Sequence, residues 1–395
     1  MRPRRPLPAA APSLADPARV ERVLVVKVHD QLGDFLLSTP ALRALREFYP
    51  RARLGLVTRE FLAPLARRNR DLDRVWVLPE IRSPRDLFGL AVALGGVARF
   101  RPDLAFVFNS VSRSKSSDAL ATLSRARLVV GRSLVFAGPQ PAEAPENPFE
   151  VARRRKHDPV YDLDLDSARG SDHQVERYLD LVGWTGAAPS TPGLRLDLDP
   201  EERRAGREAL LAAEALTGAE GSPGREASDQ RRGRGVLRVG LHPGAANPLK
   251  CWPLESFVAL GVSLAHSMPR GLTIAVFDSP RERGRAAAVC AGLEVHGVRA
   301  AFLPAGAIDR FAAICSQLEL LVCNDSGVMH IAAGLGIPTV SFHSLGRPVE
   351  WGPWGAGGIA MYAAPSINQI PVPAALAATL GLLRASGPGP DQHLF

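Results

Sequence analysis

The chain repeats one pattern: a short run of β-branched and other apolar residues, a loop of small and polar residues, then apolar positions at helical spacing. Residues 22–28, Arg-Val-Leu-Val-Val-Lys-Val, are the first such run, the kind that makes a parallel strand buried on both faces. The spacing predicts a helix over 35–48, where Leu36, Leu37, Leu42, Leu45 and Phe48 recur, Pro40 interrupts early and Pro50 marks the end. Further strands are predicted at 53–58, 74–78, 104–108 and 128–130, with helical stretches between them and a helix over 173–182. The second half repeats the alternation, with strands at 237–241, 272–277, 320–323 and 339–342 and helices at 254–266, 281–292, 309–317, 328–335 and 372–384. Strand-helix alternation of this kind predicts open parallel sheets covered on both faces.

Two similar halves in 395 residues, more than one core usually serves, predict an α/β protein of two Rossmann-like domains whose parallel sheets face an interdomain cleft. The expected boundaries are a flexible tail at 1–20, a first domain at 21–198, a linker helix with a flexible insertion at 199–235, and a second domain at 236–386. Asp199-Pro200-Glu201-Glu202 reads as a capped helix start with proline at the first helical position. The polar, glycine-rich stretch 217–235 reads as the insertion.

Composition narrows the class. Apolar residues make up 46% and charged residues 22%, ordinary for a soluble globular protein. The net charge of +8 is carried almost wholly by arginine, because the only lysines are Lys27, Lys115, Lys156 and Lys250. A basic balance favours anionic partners, whether nucleotides, phosphorylated glycans, nucleic acid or an anionic membrane face. Nucleic acid is not expected, since interleaved aromatics and recognition motifs are missing. Cys251, Cys290, Cys315 and Cys323 form no C-x-x-C pair, which predicts reduced cysteines in a cytoplasmic protein. Prolines break the apolar part of residues 1–19, unlike a signal peptide, and no run of 18 apolar residues occurs, so any membrane contact is expected to be peripheral.

Three loops between a strand and a helix carry candidate chemistry. In the first, Lys27 to Asp34, Asp34 is placed at the carboxyl end of a strand, where it either caps the following helix or acts as a general base. A single glycine there excludes a dinucleotide fingerprint. In the second, His242 to Pro253, small residues let backbone approach a ligand, and Lys250 is either a phosphate-holding point charge or an exposed loop lysine. In the third, Cys323 to His330, Asp325 and Ser326 are helix-capping types, and Gly327 leaves N–H groups for an anion at a helix start. His330 either faces the ligand or fills the core. Histidines lack metal-ligand spacing, so neither a metal nor a cofactor is expected.

Together these segments resemble glycosyltransferase family 9, the heptosyltransferases of lipopolysaccharide core assembly. The likeness rests on Gly33-Asp34 with Leu37 to Leu45, on His173-Gln174-Val175-Glu176-Arg177-Tyr178-Leu179, on His242-Pro243-Gly244 through Lys250-Cys251-Trp252-Pro253, and on Asn324 to His330. The resemblance implies the GT-B architecture, an ADP-heptose donor bound mainly by the second domain and a saccharide acceptor bound mainly by the first. It implies Asp34 as catalytic base. Donor contacts would come from Gly244, Ala245, Ala246, Lys250, Glu282, Gly306, Asp325, Ser326, Gly327 and His330. Glu282 matches the family's donor-nucleoside carboxylate, or is a solvated glutamate at a helix start. Acceptor contacts are assigned to Lys27, Arg113 and Lys115, the last two of which read equally as solvated loop charges. Two departures stand out: a first loop one residue longer, with His29-Asp30-Gln31, and alanines at 245 and 246 where hydroxyl side chains are common. A lipid-linked acceptor would bring such an enzyme to the inner face of the membrane. A nucleotide-sugar epimerase and a non-catalytic sugar-nucleotide binder are the competing functions.

Overall fold

The computed structural model describes residues 11–28, 31–110, 113–132, 160–165, 173–216, 237–268, 272–280, 282–345, 347–355 and 357–386. The chain divides into two compact units, Met1–Pro192 and Gly193–Phe395.

In the first unit six strands, β1 (Arg22–Val26), β2 (Arg53–Arg59), β3 (Arg74–Leu78), β4 (Leu104–Val107), β5 (Leu128–Gly131) and β6 (Leu163–Asp164), form a sheet in the order β3-β2-β1-β4-β5-β6. In the second, β7 (Leu237–His242), β8 (Leu272–Phe277), β9 (Ala300–Leu303), β10 (Leu320–Asn324), β11 (Thr339–His343) and β12 (Gly358–Tyr362) follow the order β12-β11-β10-β7-β8-β9. Every pairing in both is parallel. Read from the opposite edge, the second order is the first: 3-2-1-4-5-6, the doubly wound Rossmann arrangement. In such a sheet the strand order reverses between the first and fourth strands, and the crevice beyond their carboxyl ends is where ligands bind. That point lies between β1 and β4 in one unit and between β7 and β10 in the other.

Burial on both sides explains the unbroken apolar runs. In the second sheet Val239, Leu241, Ile274, Val276 and Val322 pack with Trp252, Phe257 and Leu260 in one cluster, while Ala275, Phe277, Leu321 and Cys323 pack with Leu210, Ala213 and Ile314 in another. The Pro200–Leu216 helix, which the sequence suggested as a linker, therefore belongs to the second unit and covers one face of its sheet. Its Gly206 lies so close to the Ile308–Cys315 helix that a Cβ would stand 2.1 Å from the backbone oxygen of Ala313.

Several elements differ from the sequence reading. The helix expected over 35–48 is two, Leu32–Leu37 and Thr39–Phe48, broken at Ser38, whose hydroxyl turns back to the carbonyl of Phe35 (2.6 Å). Strands β6, β9 and β12 were not anticipated. Part of the expected tail is packed: Ala15 and Val20 are buried, and the Tyr49 hydroxyl donates to the Ala15 carbonyl (3.0 Å). The insertion at 217–235 and the loop residues His29 and Asp30 lie outside the described residues.

Candidate active site

At the reversal point of the first sheet, β1 runs into Lys27 and Val28, and the short helix Leu32–Leu37 follows with Gln31 at its N-cap. Asp34 is therefore inside the helix, not its cap. Asp34 is only 2% exposed, and three donors converge on its carboxylate. The Lys27 ammonium, itself fully buried, forms an ion pair with Oδ2. Ser110, just beyond β4, donates its hydroxyl to the same oxygen (2.6 Å), and Tyr178, from the Gln174–Gly183 helix, donates to Oδ1 (2.6 Å). The Tyr178 ring stacks on Phe108 with centroids 5.0 Å apart, and Lys27 Nζ lies 5.4 Å from its centre. Burial pulls the Lys27 ammonium below its ordinary range, with the charge of Asp34 opposing. Burial and then Asp34 push the Tyr178 phenol well above its ordinary range, so it stays a donor.

Lys27 thus corrects one expectation. With no exposed surface, its ammonium is placed on the Asp34 carboxylate rather than on the protein surface where an acceptor contact was expected. Arg113 is only partly exposed: its Nε donates to Asp118 Oδ2 (2.6 Å) and its guanidinium lies over the Tyr161 ring. Tyr161 in turn donates to Asp118 Oδ1 (2.7 Å) and accepts from Asn109 Nδ2 (3.0 Å). Lys115 is exposed at the first position of the Lys115–Ser124 helix.

The second unit builds its own site at the equivalent place. Asn324, at the end of β10 and fully buried, accepts from the Trp252 backbone N–H (2.9 Å) and donates to the Pro243 carbonyl (2.9 Å), pinning both ends of the loop after β7. On that loop Asn247 caps the turn Pro248–Lys250, which delivers Lys250 Nζ to Asp325 Oδ2 at 2.6 Å. His343, at the end of β11, places Nδ1 3.8 Å from the same oxygen and its Nε2 2.8 Å from the Ser341 hydroxyl. Burial pulls its imidazole below the ordinary range.

Ser326 occupies the N-cap of the Gly327–Gly334 helix, yet its side chain makes no cap bond, and its buried hydroxyl has no hydrogen-bond partner among the described residues. The first turn is left uncapped, as an anion-binding helix start requires. His330 is buried on this helix. Glu282 is not at a helix start, because the helix begins at Arg285 and Asp278 caps it by accepting from the Gly284 N–H (2.9 Å). Glu282 sits in the preceding turn and accepts from Ser279 Oγ. There it lies against Gly244, where a Cβ would stand 3.1 Å from Glu282 Oε2, so the absence of a side chain at 244 keeps the approach open. Of the paired alanines, Ala245 is buried and Ala246 exposed. Gly306 is exposed in the loop after β9, the edge strand.

The structure therefore brings together Lys250, Asp325 and the helix start at Ser326, and separately Gly244 with Glu282. Ser110, Tyr178, Asn324 and His343 were missed as functional side chains. Topology is the signal that finds Ser110 and His343, since one lies just past the carboxyl end of β4 and the other closes β11.

The sequence profile of glycosyltransferase family 9 (heptosyltransferase) matches residues 149–366, more than half of the chain. The chain belongs to that family. This family 9 chain is a glycosyltransferase. It is 24% identical over 310 residues to lipooligosaccharide heptosyltransferase 2 of Haemophilus ducreyi, covering 78% of each chain. Among solved structures it is similar to a family 9 glycosyl transferase of Veillonella parvula, with a TM-score of 0.71 and 20% identity over 92% of this chain and 97% of that one. It is also similar to ADP-heptose LPS heptosyltransferase II of E. coli, with a TM-score of 0.64 and 18% identity over 92% and 98%. The fold is accordingly that of the GT-B glycosyltransferases, two α/β units each built on a parallel sheet.

Proposed function

We propose that this glycosyltransferase moves heptose from ADP-heptose to a lipopolysaccharide core or related saccharide, with inversion and with Asp34 as general base. The observation that carries the reading is the Asp34 carboxylate, buried at the reversal point of the first sheet and oriented by Lys27, Ser110 and Tyr178. A base must be held at a fixed angle to the hydroxyl it deprotonates, and three donors on one carboxylate do this. The donor and acceptor identities draw on the relatives, named as heptosyltransferases of lipooligosaccharide or lipopolysaccharide.

In this scheme the acceptor oxygen forms its bond to the anomeric carbon from one face as the bond to the diphosphate breaks on the other. Asp34 takes the hydroxyl proton, and ADP departs with the bonding electrons. Charge growing on the diphosphate is met by Lys250 and by the uncapped helix start at Ser326 and Gly327. Asp325 holds Lys250 in place until the diphosphate arrives. The backbone of Gly244, Ala245 and Ala246 approaches the diphosphate, and Glu282 meets the nucleoside. His330 and Gly306 complete the donor contacts, while Arg113 and Lys115 meet phosphorylated acceptor sugars.

The test incubates the enzyme with ADP-heptose and a panel of truncated lipopolysaccharide acceptors, following ADP release and acceptor mass together. ADP released only with an acceptor that gains one heptose is the expected result, with Lys250→Met raising the donor KM. Donor converted without acceptor would replace the proposal with an epimerase. Turnover of a different nucleotide sugar would keep transfer and replace heptose.

A further inference from the structure

We propose that His343 is a positioning residue for the donor: it takes over Asp325 when a diphosphate draws Lys250 away, and its Nδ1 gains a proton from solvent in the exchange. The arrival of a diphosphate at Lys250 rests on the proposed function, while the coupling of the three side chains rests on their geometry alone. Asp325 Oδ2 has Lys250 Nζ at 2.6 Å and His343 Nδ1 at 3.8 Å. These two neighbours differ in freedom. The Lys250 side chain is 29% exposed on a flexible stem, whereas His343 is fully buried on β11 and the Asp325 side chain is only 8% exposed. Lysine can leave, and the carboxylate it leaves has little water to replace it.

The hydrogen bonds of His343 show why the imidazole is not yet a partner. The Ser341 hydroxyl donates to the Ile359 carbonyl on β12 (3.5 Å), so its oxygen accepts from His343 Nε2 (2.8 Å). The neutral ring then carries its proton on Nε2 and turns a lone pair on Nδ1 toward Asp325. Two acceptors face each other, which accounts for the 3.8 Å separation and for a buried Nδ1 with no hydrogen-bond partner among the described residues. One added proton turns this opposition into a charge-assisted Nδ1–H bond to Oδ2 and keeps the bond to Ser341. Lys250 retains its own protons, and Asp325 stays ionised throughout.

The surrounding charges favour the exchange. Burial pulls the imidazole below its ordinary range against the charge of Asp325, and the Lys250 ammonium adds to the pull. A diphosphate that engages Lys250 removes that last opposition and adds negative charge. Phe342 packs in the Trp252 cluster, so His343, its neighbour in the strand, lies on the other face, where Met329 and Ala332 of the Gly327–Gly334 helix pack. That helix also carries His330. β10 contributes Cys323, in register with Ser341, whose thiol burial holds well above its ordinary range. β12 contributes Tyr362, exposed and in register with His343. The Val372–Ser386 helix, with Arg384, packs on the opposite face through Ala375 and Leu383. Of these groups His330 alone titrates near neutral pH, so the measurement must separate it from His343.

The first test needs no ligand. Histidine NMR titration of the full chain follows the assigned imidazole of His343 in the wild type and in Lys250→Met. Asp325 loses its lysine in that variant, so the His343 midpoint is expected to move up by about one pH unit or more. An unmoved midpoint would overturn the proposal. The second test is calorimetric ADP binding between pH 8 and 6 by the wild type and His343→Asn, with His343→Gln where the asparagine variant does not fold. Binding that takes up a proton is strengthened by acid, so the wild-type affinity is expected to rise by up to about tenfold per pH unit more than that of the variant. Protonation of ADP itself and of His330 is common to both proteins and cancels in the comparison. Parallel pH profiles would overturn the exchange and leave the donor reading standing. ADP that fails to bind the wild type would overturn the donor reading and the exchange with it.

Discussion

Asp34 and Lys27 together occupy almost no surface, and taking both charges out of water costs several kcal/mol per ion unless partners replace the lost hydration. Ser110 and Tyr178 supply that replacement on the carboxylate. The same bonds fix its direction, so solvation and orientation come from one set of contacts. Tyr178→Phe keeps the ring stacked on Phe108 and removes one donor. A hydrogen bond to a charged group contributes about 1.5–3 kcal/mol, so kcat is expected to fall by roughly 10–100-fold with ADP affinity unchanged. Steady-state kinetics beside calorimetric ADP binding check this. An unchanged kcat would remove Tyr178 from the set that orients the base.

Among the elements, the Pro200–Leu216 helix is a wall of the second unit, and Gly206 is the point of closest approach. Gly206→Ala places a methyl group against the backbone of Ala313, which cannot move without shifting its own helix. Overpacking of this kind costs about 1–3 kcal/mol or more, to be read as a lower denaturant midpoint. A midpoint equal to the wild type would show that the helix is loosely attached. Sequence periodicity found the central strands because they are buried on both faces, which demands unbroken apolar runs such as 23–26 and 320–323. It missed β6, β9 and β12, and the reason is local. All three are short or partly exposed strands at or near a sheet edge, and β12 carries no fully buried residue. The candidate site was legible where a motif names its residues, as with Asp34, Lys250 and Asp325. It was not legible for Ser110 and Tyr178, because contacts between residues 76 and 144 positions apart depend on strand order, which no local pattern encodes. The cap at Asp278 displaced the predicted start of the following helix from Arg281 to Arg285, which is why Glu282 was open to reading as a helix residue.

For the molecule as a whole, each unit repeats one topology, and the proposed function gives the reversal point a different task in each, a base in the first and an anion cradle in the second. Among the described residues no helix is long and apolar enough to cross a membrane. The second unit also carries an acid sensitivity. His242 and His343 are buried with imidazoles pulled below the ordinary 6.5, by burial against the opposing charges of Glu282 and Asp325 respectively. The unfolded chain therefore takes up protons first as pH drops through 6.5. The stability of the neutral, buried forms is complete above that pH and declines below it, by up to about 1.4 kcal/mol per histidine per pH unit. A thermal midpoint that falls between pH 7 and 5, with a shallower slope in His343→Asn, is the expected result, and a midpoint that rises on acidification would contradict it.

The measurement closest to the central claim is turnover of Asp34→Asn with ADP-heptose and a competent acceptor, alongside calorimetric ADP binding by the same preparation. The proposed base in the first unit and the proposed donor cradle in the second predict a loss of about 10²–10⁴-fold in turnover with ADP affinity unchanged. Wild-type turnover in this variant would show that the buried carboxylate is structural and that the proton leaves by another route.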